Sequence, residues 1–224
     1  MNRIIVFALM LFCMTMQIEA QTLSEEEVTA KMYQAFELNK AGKKAEALEL
    51  FLIVGENTKQ QRNEGERQVY VCSQTMACQC YELLGRYQEG YLLGKSLLQG
   101  KLNDEERKDV GHLYAMNGYM YACEFIQRDE KGRADYKRGR ELISEILPYS
   151  DGQVKEYAET KIPLSWYFEG AQYAMTQSYD EALSSYEKAL NGFRDLGRVS
   201  EEVDVLSGIA SVKAHLCKFD EAKR

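Results

Sequence analysis

Few residues in this 224-residue chain can carry nucleophilic or metal chemistry, since it has six cysteines and only two histidines, His112 and His215. Structural zinc sites pair cysteines with roughly two to four residues between them, and these cysteines are not spaced that way. Cys78 and Cys80 are two positions apart, so on a helix they face different sides and cannot form a disulfide. We therefore expect the thiols beyond residue 20 to be small apolar fillers between packed helices. They are Cys72, Cys78, Cys80, Cys123 and Cys217.

A second candidate is the string Gly90-Tyr-Leu-Leu-Gly94-Lys95-Ser96, which is close to a phosphate-binding loop. It has one residue too few between its glycines, and a helical pattern precedes it where that loop follows a strand. The two glycines are expected to serve helix packing instead. With two histidines, the chain also has little material for a Ser-His-Asp or Cys-His arrangement. The sequence thus predicts neither an enzyme nor a cofactor nor a metal site.

Charge gives a further restriction, because the formal net charge is −7. Non-specific nucleic-acid binding needs an excess of Lys and Arg, so we expect no nucleic-acid partner. The acidic groups Glu25–Glu27 and Glu201–Glu202 are placed to complement the dipoles of helix starts. The basic stretch Arg128–Arg140 is expected to be solvated surface.

Residues 1–20 are typical of a secretory signal peptide. Arg3 supplies positive charge, an apolar run follows from Ile4 to Met14, and the small residue Ala20 precedes the expected cleavage site. The run is shorter than the roughly 20 residues of a spanning helix, and no later stretch is apolar enough to span a membrane. We expect an exported chain, periplasmic or secreted, that starts at Gln21. The alternative is an uncleaved anchor or a buried helix.

The rest of the chain repeats one pattern. Four segments, starting near Asn39, Tyr81, Met175 and His215, each have a helical run, a short polar break and a small residue that opens a second run. The clearest unit extends from Pro163 to Phe193, and Pro163 suits a first helical position. Its small and aromatic residues recur at helical spacing on two faces. They are Trp166, Gly170 and Tyr173, followed by Ala182, Tyr186 and Ala189.

This spacing resembles the tetratricopeptide repeat, with Glu169 standing where the family pattern has Leu. Units starting at Val28, Val71, Gly111, Pro163 and Val203 are about 40 residues or longer, against a usual ~34. Such longer units are familiar from bacterial regulatory and sensor proteins. The resemblance implies an all-α, right-handed solenoid of stacked antiparallel helix pairs over residues 21–224. It would contain about four and a half repeats, with the last one incomplete.

In this family the first helices of successive units line a concave groove that binds peptides or helices. Chaperone-binding members place Lys and Asn there to hold a terminal carboxylate, and this chain has neither at the matching places. The residues that the resemblance assigns to the groove, here called the predicted groove residues, are mostly aromatic, small or polar. They are Met32, Tyr33, Phe36, Thr75, Gln79, Ala115, Tyr119, Tyr167, Ala171, Ser207 and Ser211.

The function expected from the resemblance is an exported module that binds a protein or peptide. The alternative is the periplasmic sensor portion of a transmembrane signalling or transcriptional regulatory protein with its output domain beyond residue 224. A second helix is expected to begin near Lys218, which would leave the last repeat unfinished and the chain a piece of a longer protein. Self-association through that uncovered end is then expected.

Overall fold

The computed structural model describes residues 23–127 and 134–222, with side chains as far as Cys217. The predicted signal peptide and residues 128–133 of the basic stretch lie outside the described residues. Nine α-helices and one short 3₁₀ turn, Leu147–Tyr149, make up the described part. The helices are α1 Glu25–Lys40, α2 Lys44–Thr58, α3 Glu64–Leu83, α4 Tyr87–Leu98, α5 Asp104–Ile126, α6 Tyr136–Ile146, α7 Gly152–Met175, α8 Tyr179–Asp195 and α9 Val199–Ala222.

Helix starts are fixed by side chains that bond to free backbone N–H groups. The Ser24 side chain accepts from the amide of Glu27, and the Glu27 carboxylate accepts from the amide of Ser24 at 2.8 Å. Asn103 and Glu106 form the same reciprocal pair at the start of α5. Such pairs satisfy two otherwise unpaired donors. The expected placement of acidic residues at helix starts is confirmed for α1 and α9.

Four helix junctions share one turn geometry. In each, an amide bonds to a carbonyl five residues earlier at 2.9 Å: Lys43 to Leu38, Arg86 to Tyr81, Ser178 to Tyr173 and Arg198 to Phe193. The residue before each of these amides has a positive φ, and it is a glycine at three of the four junctions. Gln177 takes that place at the junction of α7 and α8, with φ 61°. These turns reverse the chain within three residues, so consecutive helices can pack side by side.

The chain divides into two compact units, Met1–Ser73 and Gln74–Arg224, with the boundary inside α3. In the first unit α1 packs on α2. Ala35 of α1 and Ala47 of α2 are fully buried, and the rings of Phe36 and Phe51 meet edge to face at 5.4 Å. Small residues at the crossing let the two helices approach closely while the aromatic rings fill the space beside them.

In the second unit the helices from α4 to α9 pack on their neighbours in chain order. Helix α7 also contacts α5 and α9, two positions away in either direction. One core cluster combines buried residues of α4 to α7, and another combines α8 with α9. Among the described residues no helix has the length and apolarity needed to cross a membrane.

Glycines and alanines allow these close contacts, as expected from the repeat pattern. A Cβ on Gly90 would overlap the amide of Asn117, and one on Gly94 would lie 3.0 Å from Cβ of Tyr114. The packing role predicted for Gly90 and Gly94 is therefore confirmed, within helix α4. Ala182 is fully buried, and a Cβ on Gly170 would lie 3.2 Å from its carbonyl oxygen.

Two expected helix boundaries are wrong. Pro163 lies inside α7, because Val154 and Ala158 upstream are buried in the core and outweigh the lost backbone hydrogen bond at proline. Near Lys218 the expected break is absent, and α9 is continuous to Ala222. The segment starting at His215 has Cys217 where the other three have Gly42, Gly85 and Gln177. A left-handed conformation is uncommon for cysteine, whereas glycine adopts it readily.

Candidate functional site

An open cleft of about 880 Å³ lies in the second unit and is formed by α6, α7 and α8. Helix α7 packs against both α6 and α8, so it forms the floor of the cleft and the other two helices form its walls. Large clefts that combine apolar surface with a few polar groups are the usual ligand sites of proteins. The lining residues are Lys137, Arg140, Glu141, Ser144, Ile162, Trp166, Glu169, Tyr173, Glu181, Ser184, Ser185 and Lys188.

Trp166, the single tryptophan of the chain, lies on this floor between two cations. The guanidinium carbon of Arg140 is 3.4 Å from the centroid of its ring, and Nζ of Lys188 is 4.2 Å from it. Cations are attracted to the electron-rich face of an indole. The ring is therefore held by one residue from each wall of the cleft.

Arg140 is itself buried, with 9% of its surface exposed. Its guanidinium donates to Oε2 of Glu169 at 3.0 Å and to Oγ of Ser165 at 3.3 Å. Burial lowers the pKa of Arg140, and the Glu169 carboxylate offsets part of that effect. The expectation that the basic stretch is solvated surface is wrong for Arg140, because the ion pair and the indole together replace water around its charge.

A smaller cavity of about 190 Å³ shares Lys137, Glu169 and Tyr173 with the cleft. Gln172 also lines it, and its Oε1 is buried with no hydrogen-bond donor among the described residues. Buried polar atoms are nearly always paired. The smaller cavity therefore has a buried acceptor beside it that no donor of the described residues satisfies.

A second polar cluster joins α4, α5 and α6. The hydroxyls of Tyr91 and Tyr114 donate to the two oxygens of Glu145 at 2.9 and 2.7 Å, and Nζ of Lys95 lies 2.6 Å from the carboxylate. Desolvation raises the pKa of Glu145, but the hydrogen bonds from Lys95, Tyr114 and Tyr91 outweigh it and leave the pKa below its usual value. Desolvation also raises the pKa of Tyr114. With every charge paired, this cluster stabilises the helix packing.

The predicted groove residues are distributed over both units. In the first unit Tyr33 is 71% exposed, Phe36 is exposed beside Phe51, and Met32 is half-buried. The second unit holds the remaining residues, on α3, α5, α7 and α9. Among these, Thr75, Tyr119, Tyr167 and Ala171 are half-buried, and Gln79, Ser207 and Ser211 are exposed.

Two of the groove aromatics also contact other rings. Tyr119 stacks on Tyr157 at 6.3 Å, and Tyr167 lies 5.8 Å from Tyr186. The prediction for Ala115 is wrong, since this residue is fully buried in the core of α4 to α7. None of the predicted groove residues lines the cleft around Trp166.

The thiols follow the expected filler role only in part. Cys78, Cys80 and Cys123 are buried, and burial raises the pKa of Cys78 to about 12. Cys72 and Cys217 are exposed, so the expectation is wrong for them. In the described part of the chain no three His, Cys, Asp or Glu residues are grouped to hold a metal ion.

Comparison with known proteins gives no match, either to a protein-family model or to a curated protein. The tetratricopeptide resemblance stays a prediction, based on the residues of the repeat pattern alone. What the chain binds has to be inferred from its own surface.

The cleft was missed at the sequence level, although one signal pointed to it. Glu169 occupies the position at which the repeat pattern has Leu, and an acidic residue at a buried position needs a cationic partner. That partner is Arg140, 29 residues earlier. Only the packing of α6 on α7 brings the two together.

Proposed function

We propose that the chain is an exported helical-repeat protein of tetratricopeptide type that binds a peptide segment of a partner protein, and that the cleft around Trp166 is its recognition site. The observation that carries the proposal is the floor of the cleft. The indole of Trp166, held by Arg140 and Lys188, lies in an open concavity between two helices. Aromatic and arginine side chains in such positions dominate the binding energy of protein interfaces.

The solenoid architecture is part of the proposal. Support comes from the shared geometry of the four turns and from α7, which contacts α5 and α9 as well as its chain neighbours. In a stack of helix pairs, each first helix lies beside the first helix of the next pair. The contacts of α7 are those that such a stack requires.

Binding suits the cleft better than catalysis. Its buried charges, Arg140 and Glu169, are paired with each other, and no histidine or cysteine lines it. The lining groups without an ion-pair partner, Lys137, Glu181 and Lys188, are exposed on the walls, whereas catalytic groups act in sites that exclude water.

Peptide selection tests this function. A random peptide library is selected on the chain from Gln21, and the selected peptides are titrated against two variants. Ser184→Phe places a ring in the cleft from an exposed wall position, whereas Ser96→Phe places the same ring on an exposed site of α4 outside it. We expect Ser184→Phe to weaken binding about tenfold or more and Ser96→Phe to leave it unchanged, with equal circular dichroism for both.

The predicted groove is the rival surface. Peptides that bind Ser184→Phe normally but lose affinity for Tyr119→Ala and Tyr167→Ala would move the site to the groove and overturn the assignment to the cleft.

Export is tested separately, by mass spectrometry of the native protein. We expect an N-terminus at Gln21, and an intact Met1 would contradict export through a cleaved signal peptide.

A further inference from the structure

The cleft is lined by three cations and three anions, and more of the cations than of the anions lack an ion-pair partner among the described residues. Arg140 is neutralised by Glu169, and Glu141 lies 3.5 Å from Arg138, which does not line the cleft. Lys137 on α6 and Lys188 on α8 have no carboxylate within ion-pairing distance among the described residues. Glu181 on α8 has no cation within that distance among the same residues. Two unpaired cations therefore face one unpaired anion in a chain whose net charge is −7.

We propose that the ligand of the cleft is an acidic peptide segment, whose side-chain carboxylates pair with Lys137 and Lys188 and whose apolar side chains cover Trp166 and Ile162. This inference rests on the proposed peptide-binding function and specifies the ligand class. Complementary charge across an interface selects the partner and orients it. The apolar floor between the two lysines favours a segment that alternates acidic and apolar residues.

Lys188 has a particular role in this assignment. In the free cleft its ammonium group lies over the indole of Trp166, 4.2 Å from the ring centroid. A cation–π contact at a solvent-accessible site is weak, while a charge-assisted hydrogen bond to a carboxylate is among the stronger polar contacts. A bound carboxylate therefore draws Lys188 from the ring and uncovers the indole for an apolar side chain of the ligand. Arg140, tied to Glu169 and Ser165, stays in place.

The single tryptophan makes this exchange measurable, because all indole fluorescence of the chain comes from the floor of the cleft. The probe is the acetylated and amidated peptide Glu-Leu-Glu-Glu-Leu-Glu, which contains no aromatic residue. Matched peptides replace every Glu by Gln or by Lys. Glutarate serves as a free dicarboxylate without a peptide backbone.

We expect the acidic peptide to change the Trp166 emission on binding, and the Gln and Lys peptides to bind at least about fivefold more weakly. Lys137→Gln and Lys188→Gln should each weaken binding of the acidic peptide about fivefold, and Lys188→Arg should restore most of it. Raising the salt concentration should weaken binding as well. Lys213→Gln, an exposed lysine of α9 outside the cleft, is the matched control and should bind normally.

One variant should bind more tightly. Glu181→Gln removes the unpaired anion of the α8 wall, and we expect it to strengthen binding of the acidic peptide about two- to fivefold. A gain of affinity cannot come from a damaged fold. Unchanged affinity in both lysine variants, or no binding of the acidic peptide, would overturn the inference.

The failure of this inference is distinguishable from failure of the proposed function. Equal binding of the Glu and Gln peptides, abolished by Ser184→Phe, would reject the acidic ligand and keep a peptide site. If glutarate binds as tightly as the acidic peptide, the ligand is a small dicarboxylate rather than a peptide. That result would overturn both the inference and the proposed function. If the acidic peptide binds Ser184→Phe as tightly as the parent, its binding site lies outside the cleft and the inference is rejected.

Discussion

The guanidinium of Arg140 lies over the ring of Trp166, with its carbon 3.4 Å from the ring centroid, and donates to the carboxylate of Glu169 at 3.0 Å. This contact joins α6 to α7 through a charge that sequence reasoning had assigned to solvent. A buried ion pair stabilises little by itself, but the loss of one partner leaves an uncompensated charge.

The first prediction concerns this ion pair. Glu169→Leu restores the residue of the repeat pattern but leaves the Arg140 charge unpaired, so we expect it to lower the free energy of unfolding by about 2–4 kcal/mol. Arg140→Met should cost a similar amount. The double variant should cost much less than the sum, since it replaces both charges by apolar groups. Urea denaturation of the four proteins measures the cycle.

A matched control lies on the same helix. Arg138 and Glu141 form an exposed pair at 3.5 Å, and Glu141→Gln should change the free energy of unfolding by less than about 0.5 kcal/mol. Additive costs for Arg140→Met and Glu169→Leu would show that the two residues do not depend on each other.

The second prediction is a pH dependence caused by Glu145. Its folded pKa lies below the unfolded value of 4.5, so its contribution to stability is fully present above pH 4.5 and is lost as the pH falls through the folded pKa. Glu145→Gln should therefore destabilise the protein at neutral pH, and the difference from the parent should shrink below pH 4.5. Urea unfolding at several pH values measures it. A difference that stays constant down to acid pH would contradict the assigned hydrogen bonds.

The third prediction concerns the turn between α7 and α8. Gln177 has φ 61°, a conformation that costs a residue with a Cβ more than it costs glycine. Gln177→Gly should raise the free energy of unfolding by about 0.5–1 kcal/mol. Thr176→Gly next to it, where φ is −91°, should lower it, because glycine there only loses conformational entropy. Thermal denaturation of both variants measures these changes in stability. A stabilised Thr176→Gly would show that added flexibility in the turn, rather than relief of the positive φ, stabilises the protein.

The fourth prediction tests the contact of α4 with α5. A Cβ at Gly90 would overlap the Asn117 amide, so Gly90→Ala should cost roughly 1–3 kcal/mol. In the background of Asn117→Ala the same substitution should cost clearly less, because the obstructing amide is gone. Gly65→Ala, at an exposed position of α3, serves as the control and should be tolerated. The same cost in both backgrounds would contradict the close approach.

The fifth prediction concerns thiol reactivity. Cys217 is exposed, while burial raises the pKa of Cys72 and, to about 12, that of Cys78. Only the thiolate reacts with maleimides at an appreciable rate. In the native protein we expect Cys217 to be labelled first and Cys72 more slowly, with Cys78 labelled only after unfolding. Peptide mass spectrometry after timed labelling measures the order, and early labelling of Cys78 would contradict its burial.

The pairing of helices could be predicted from the sequence because it depends on local spacing. Gly170 and Ala182 recur at positions where a helix face must come close to its neighbour, and the structure confirms that contact. The turns at Gly42 and Gly85 could be predicted as polar breaks for the same reason. Helix ends were less predictable. Helix α7 continues through Pro163 because the residues before it are buried in the core. Helix α9 continues past Lys218, where the residue before it is not suited to a positive φ.

By itself, then, the sequence determined the all-helical class, the order of the helices and which small residues lie at their crossings, since each of these depends on residues a few positions apart. It could not determine the surroundings of Arg140, because Trp166 and Glu169 are more than twenty residues away along the chain. Tertiary packing of α6 on α7 decided that this charge is buried, and the packing of α8 on α7 opened the cleft beside it. Whether a charged side chain meets water or an ion partner depends on which helices pack around it, and no local spacing contains that information.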